Sequence, residues 1–384
     1  MKTMCVWGFF LVLLVWSTTP LLACLWDYDT LMMENERFPE TLELVTGKFL
    51  RHSKEFYEWR VKDRTEKLAK ESKASYYDDL AVAHEKLGNR EKAIELMKEK
   101  DQKFPGLYET YANLGTFYLH GKQYTEGLAF IEKALKVNPN AHFGREISQK
   151  LLVEYVLHCQ KAGKTVPLNT ENSSGFAGFV QEHPQAKEMK LNSEAVLKGV
   201  LGMMKFGNHE SPVLLEVLGD LLSQGVKDDA KQLAARAYLK AAYAYEEENP
   251  ELVDVFAKKA KAVLAMQMIG KEDDPEKVFK MLEDSFTKEL EEGKTWFDKV
   301  HQDEKNWVAE GKNPEEAFAQ KYYQAPRMAH EKQMQRNQEI ETGVQTLQML
   351  QILGIAVAFS FIILAMMRLK RVRIAESKQA EAKK

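Results

Sequence analysis

Residues 75–139 read SYYDDLAVAHEKLGNREKAIELMKEKDQKFPGLYETYANLGTFYLHGKQYTEGLAFIEKALKVNP. Tyr77 recurs as Tyr111, Leu80 as Leu114, Ala81 as Gly115, His84 as Tyr118, Ala93 as Gly127, Met97 as Ile131 and Pro105 as Pro139, every pair 34 residues apart. Self-similarity at a fixed period marks one structural unit stacked on the next. Each unit holds two helical stretches. The first ends near a glycine, Gly88 or Gly121, which suits the left-handed residue after a helix. The second ends near Pro105 or Pro139, because proline cannot continue a helix from inside. Ala81, Gly115, Ala93 and Gly127 are small enough to let the paired helices approach. Tyr77, Leu80, Tyr111 and Leu114 fill the space between them. The stretch therefore predicts two stacked helical hairpins and an all-α fold.

Tyr111, Leu114, Gly115, Tyr118, Ile131, Ala134 and Pro139 sit at the spacing of the signature residues of the tetratricopeptide repeat. The stretch resembles two such repeats, at 74–107 and 108–141. The first departs from the pattern, with Ala81 in place of glycine and Lys100 in place of alanine. The resemblance implies a right-handed superhelix of antiparallel helix pairs, with a concave groove lined by the first helix of each pair. It implies protein or peptide binding and no catalysis. Some grooves of the family clamp a peptide's terminal carboxylate with lysine and asparagine. Here Asp78 and Val82 occupy such positions and Asn113 is the only compatible residue, so a carboxylate clamp is disfavoured. Helix geometry turns Asp78, Val82, Glu85, Ala112, Thr116 and Leu119 inward. They form a mildly acidic, partly apolar strip that suits a basic or apolar peptide. Contact of the same strip with the chain's own C-terminal helices is the equal alternative.

On the N-terminal side, residues 24–73 read as an irregular arm followed by a degenerate hairpin or cap. Its helices are expected over Glu40–Arg51 and Lys54–Lys70. Gly47 is in phase with Ala81, whereas Trp59 and Glu71 break the pattern. Phe56, Tyr57 and Trp59 are placed to seal the end of the stack. In the arm, Asp27-Tyr28-Asp29 has a spacing that could hold a metal, but it is common by chance and no further carboxylates accompany it. On the C-terminal side, a helix over Ile147–Lys161 covers the last hairpin, and 163–190 reads as a loop holding two prolines and Gly175 and Gly178. Residues 191–270 read as a degenerate helical repeat region. There Leu215, Leu218, Gly219 and Leu222 mimic a first helix, and Ala234, Tyr238 and Ala241 a second. Residues 271–345 read as charged helices packing on the repeats or on each other, then a stalk.

The ends carry targeting signals. Lys2 and the apolar run Val6–Trp16 predict a signal peptide over 1–23. Cleavage after Ala23 is the leading reading, a lipobox that lipidates Cys24 the next, and an uncleaved signal anchor the third. Ile352–Met367 is apolar and uncharged, and Arg368, Lys370, Arg371 and Arg373 follow. This predicts a transmembrane helix at 346–368 with a basic cytoplasmic tail at 369–384. A net charge of −3 gives no footprint for nucleic acid. With 3 cysteines and no CxxC pair, neither a zinc site nor a redox motif is expected. A Cys24–Cys159 disulfide is admissible, although Cys159 in its apolar run reads better as a small buried hydrophobe. No HExxH, GxSxG or phosphate-loop motif occurs, so no catalytic residue, metal or cofactor is assigned. The acidic pairs Asp78-Asp79, Asp228-Asp229 and Asp273-Asp274 read as helix-start or turn residues. Asn172 opens a formal glycosylation sequon. The expectation is a membrane-anchored extracytoplasmic scaffold that binds another protein. The alternative is a cell-envelope enzyme or accessory subunit, with its site in 169–208 or in the C-terminal helices.

Overall fold

In the computed structural model the chain is helical throughout its described part: residues 25–323 apart from 35–37, 140–144, 165, 170–174, 226–227, 246–248 and 268–273. Sixteen helices and no strand occur among these residues. Contacts divide the chain into Met1–Tyr322 and Tyr323–Lys384, and all sixteen helices belong to the first unit. The expected signal peptide, Cys24, Asn172, the lower stalk, the span over Ile352–Met367 and the basic tail lie outside the described residues. No helix among the described residues is long and apolar enough to cross a membrane.

Two regular hairpins form the centre, α4 (Ala74–Lys86) with α5 (Arg90–Lys103), and α6 (Tyr108–His120) with α7 (Tyr124–Val137). Their small residues act as expected. A Cβ on Gly115 would lie 2.5 Å from Ile131 Cδ1 and 3.1 Å from its backbone nitrogen, and one on Gly127 would lie 2.5 Å from Leu119 Cδ2. The second helix thus rests on the bare backbone of the first. Gly115→Val should therefore cost about 1–3 kcal/mol through overpacking, read as a shift of the denaturation midpoint at unchanged slope. Tyr77, Leu80, Ala81, Met97, Leu114 and Phe117 form one buried cluster across the two hairpins.

The N-terminal cap differs from the expected hairpin. After α1 (Tyr28–Glu34), α2 spans only Thr41–Thr46, not Glu40–Arg51. Gly47 takes φ +78° and ends it, with Lys48 N–H bonded to Glu43 O at 2.8 Å. Gly47 is a helix stop and not a helix-packing residue in phase with Ala81. Its Cβ position is closed by His209 Nε2 at 3.0 Å, which shows how closely the cap lies against the later helices. The long helix α3 (Lys54–Lys70) then packs on α4. Ser53 caps it by accepting the Phe56 N–H.

Beyond the repeats, α8 (Arg145–Lys161) is more than a lid on the last hairpin. Most of its faces are buried, because α7 lies on one side and α11 (Ser193–Phe206) on the other. The segment read as a loop over 163–190 contains α9 (Gly175–Glu182) and α10 (Pro184–Glu188). Phe176, Ala177 and Val180 bury one face of α9, and that burial outweighs the helix-weakening glycines. α12 (Pro212–Ser223) and α13 (Asp228–Tyr243) repeat the hairpin logic, with Gly219 under the ring of Tyr238. α14 (Pro250–Gln267) follows.

The charged C-terminal region is a single 35-residue helix, α15 (Pro275–Ala309), and a short α16 (Pro314–Tyr322). α15 folds back over α2, α3, α13 and α14. Its Gly293 sits against the carbonyl of Thr46, where any side chain would collide.

Candidate functional site

The inward strip of α4 and α6 is present, but the chain itself fills it. Asp78, Val82, Glu85, Ala112, Asn113, Thr116 and Leu119 are all buried. The seven are therefore not an open groove in this fold. The C-terminal helices, the alternative occupant, are not what covers them either. The N-terminal arm and α8 do so.

Asn113 makes the clearest contact. Its Nδ2 donates to the Trp26 carbonyl at 2.9 Å and its Oδ1 accepts the Trp26 N–H at 2.8 Å. One side-chain amide thereby satisfies both backbone polar groups of one arm residue, as a strand neighbour would. Leu25 enters the same apolar cluster as Val82. Trp26 stands edge-on to Tyr108, with centroids 5.9 Å apart, beside Ala112. Thr116 accepts from Gln149 Nε2 of α8 at 3.2 Å. Leu119 fills the space over Gly127.

Charges inside the strip are paired. Lys100 donates to both carboxylate oxygens of Asp78, at 2.7 and 2.6 Å, and is fully buried. The lysine that departs from the repeat signature is thus the partner of the aspartate that departs from the clamp pattern. Burial pushes the Asp78 carboxyl up to about 7, against the pull of Lys100. Glu85 lies 2.7 Å from His120 Nδ1 and 3.1 Å from Arg90. Burial would raise its pKa, but His120 and Arg90 hold it below the usual range.

Beside the strip lies a larger buried ionic network with no counterpart in the sequence reading. Arg60 of α3 is 0 % exposed. It forks onto Asp29, donating from Nη2 to Oδ1 at 2.9 Å and from Nη1 to Oδ2, and it reaches Asp27 at 3.3 Å. The Asp27-x-Asp29 pair therefore holds a guanidinium, not a metal. One turn on, Arg64 donates from Nε to Asp79 at 2.7 Å and from Nη2 to both carboxylate oxygens of Glu315 of α16, at 2.6 and 3.0 Å. Asp79 also accepts the Tyr28 N–H at 2.9 Å. Asp78 and Asp79 are thus buried partners rather than helix-start residues, whereas Asp274 does cap α15 by accepting the Glu276 N–H. His52 lies between Asp29, 3.3 Å from Nε2, and Glu304 of α15, which bonds Nδ1 and also accepts the Ser53 N–H at 2.7 Å. Its ring stacks on Phe56 at 3.6 Å, so Phe56 seals this network more than the end of the stack. Together these bonds fasten the arm, α3, α4, α15 and α16 to one another.

Cys159 is a buried thiol, free among the described residues; Cys24, its admissible disulfide partner, lies outside them. Burial raises the pKa of Cys159, which fits an inert small hydrophobe.

Residues 108–141 match the tetratricopeptide repeat family. No curated protein matches the chain. The matched segment is the second hairpin and its exit. The hairpin at 74–107 has the same helix lengths, although its burial of Asp78 and Lys100 sets it apart. The chain is thus an all-helical protein carrying a tetratricopeptide repeat, a module that commonly binds proteins and is typically not catalytic.

Proposed function

We propose that this protein is a scaffold that binds another protein, with its helical body outside the cytoplasm and a C-terminal helix in the membrane. The observation that carries the binding role is the matched repeat at 108–141 folded as a helical hairpin. The membrane placement rests on the sequence: the apolar segments Val6–Trp16 and Ile352–Met367 and the basic flank after the latter.

Because the inner strip holds the chain's own arm, the partner face lies elsewhere on the repeats. The half-buried rings of Tyr111, Tyr118 and Phe130 form a row, with Tyr118 and Phe130 stacked at 5.5 Å. Lys98 lies 5.8 Å from the Tyr118 ring and Lys133 4.6 Å from that of Phe130. Aromatic surface rimmed by cations suits a partner segment that is apolar and acidic. Lys98 and Lys133 are exposed, so reversing their charge leaves the core intact.

Crosslinking in intact membranes should recover one defined protein, and Lys98→Glu with Lys133→Glu should lose it while the melting temperature stays within 1–2 degrees (about 0.5 kcal/mol for surface changes). Undiminished recovery from the double variant rules out this face. Protease added to sealed spheroplasts should digest the helical body and spare the tail. Protection of the body with loss of the tail would invert the orientation.

A further inference from the structure

Positive charge from three parts of the chain converges where α2 ends. Arg51 donates from Nη1 to the Gly47 carbonyl at 2.6 Å, and Lys240 of α13 donates to the Val45 carbonyl at 2.6 Å. Lys86, the last residue of α4, donates to the Gly207 carbonyl at 2.8 Å, two residues before His209. His209 Nε2 and Arg51 Nη2 lie 3.0 and 3.6 Å from the point that a Cβ on Gly47 would take. A side chain there would stand against both nitrogens, so glycine keeps the approach to them clear.

Elsewhere the protein pairs its buried cations with carboxylates. Arg60 meets Asp29, Lys100 meets Asp78, Arg236 meets Glu289 and Lys259 meets Glu216. Arg51 and Lys240 have no carboxylate in ion-pair contact among the described residues; their printed hydrogen bonds go to backbone carbonyls. Glu210 comes 3.8 Å from His209 Nε2, and its side chain is 68 % exposed. Capping the end of α2 accounts for one donor from each cation. It does not account for placing them together, because like charges in a part-buried site disfavour one another. The strain shows in each group. Burial, then Lys240, Arg51 and Lys86, pushes His209 well below its ordinary value. Burial and Arg51 bring Lys240 down to about 8 against the pull of Glu210, and burial brings Arg51 down to about 10.

Donors remain for a ligand. Arg51 Nε and Nη2 make no hydrogen bond among the described residues and are not sealed from solvent, and the Lys240 ammonium has used one of its three N–H groups. The His209 side chain keeps 10 % of its surface, and neither of its ring nitrogens is sealed off.

We propose that Arg51, Lys240 and His209 form a binding site for one phosphate group, either free or carried on a larger molecule. The phosphate lies over Gly47 and accepts from Arg51 Nη2, Lys240 Nζ and the His209 ring. Its charge of about −1.5 to −2 matches the two cations, and charge-assisted bonds to phosphate oxygens are the strong kind. Lys86 adds to the field from the rim, and Glu210 opposes it.

The test is calorimetric titration of the full-length protein in an uncharged detergent with inorganic phosphate at constant ionic strength, with the histidine ring NMR signals followed in parallel. Phosphate should bind one site per chain and move the His209 signal, which is assigned by its loss in His209→Phe. Chloride should do neither. Lys240→Met and His209→Phe keep the apolar bulk and should each weaken binding about tenfold, the value of one charge-assisted hydrogen bond. Glu210→Gln changes only an exposed side chain and should tighten binding about threefold by removing the opposing charge. Phosphatidate in the micelle identifies the source: movement of the His209 signal at a lower concentration than free phosphate requires assigns a lipid headgroup, and otherwise the ligand is a soluble phosphate. No phosphate binding, a His209 signal that stays in place, undiminished binding in a folded Lys240→Met variant, or no gain in Glu210→Gln would each overturn the proposal. Crosslinking to a protein partner should be indifferent to Glu210→Gln, so this site and the scaffold reading fail separately.

Discussion

Arg60→Met is expected to lower the unfolding free energy by about 3–5 kcal/mol, the cost of breaking a buried ion pair by removing one partner. The guanidinium is fully buried, its fork is bonded to Asp29, and it lies 4.5 Å over the Phe56 ring. Methionine can keep much of the packing but leaves the carboxylates facing each other. Those carboxylates are not equivalent. Burial and the Asp29 charge already push Asp27 up to about 6, so Asp27 can take a proton at modest cost. For Asp29, burial would raise the pKa, but Arg60 and His52 hold it well below the usual carboxylate range. The loss therefore falls chiefly on Asp29. Adding Asp29→Asn to Arg60→Met should recover part of the stability, whereas Asp27→Asn should recover less. Denaturant titration of the three variants measures this. A loss below about 1 kcal/mol for Arg60→Met would show that water reaches the site.

The second large effect is on pH. Burial alone would lower the pKa of His52, but the carboxylates of Asp29 and Glu304 on either side raise it to about 9. The unfolded value is near 6.5. The folded state thus binds a proton more tightly than the unfolded one. The stabilisation is fully present below pH 6.5 and is lost as pH rises through 9, for a total on the order of 3 kcal/mol. Tyr57 of α3, whose ring lies 6.2 Å from that of His52, has its pKa driven well above 10 by burial, so it stays neutral across this window.

Below pH 6.5 the two aspartates act in opposite directions. Asp27, with its raised value, favours folding as pH falls from about 6 towards 4. Asp29, with its lowered value, withdraws stability as pH falls below about 4. Maximum stability is therefore expected at mildly acidic pH, with a steep alkaline decline. Melting curves from pH 5 to 9.5 should show that decline, and His52→Gln should flatten it. An unchanged slope in His52→Gln would assign the decline to another group.

This latch was illegible in the sequence for a definite reason. On α3 the buried stripe is Phe56, Arg60 and Arg64, spaced as a core face but two-thirds cationic. Any reading that places charge outward turns that helix the wrong way. Its partners Glu304 and Glu315 are some 250 residues away. No local pattern links them, and Asp27-x-Asp29, the one feature there that stands out, has a spacing that is common by chance. The hairpins were legible because their cause is local. Gly115 must lie under Ile131 and Gly127 under Leu119 wherever the chain repeats at this period. Helix α9 was missed because Gly175 and Gly178 read as breakers, while the burial of Phe176 and Val180 that forms it depends on α8 and α12.

The sequence by itself determined the repeating hairpins, the helical class and the direction in which Asp78, Asn113 and Thr116 point, since helix period and small-residue spacing set these within one unit. Only the tertiary structure decided what those residues meet. Occupancy of the strip depends on where the short N-terminal arm and α8 meet α4 and α6. That is a contest of desolvation, ion pairing and apolar burial between distant segments, and no spacing within a segment encodes it.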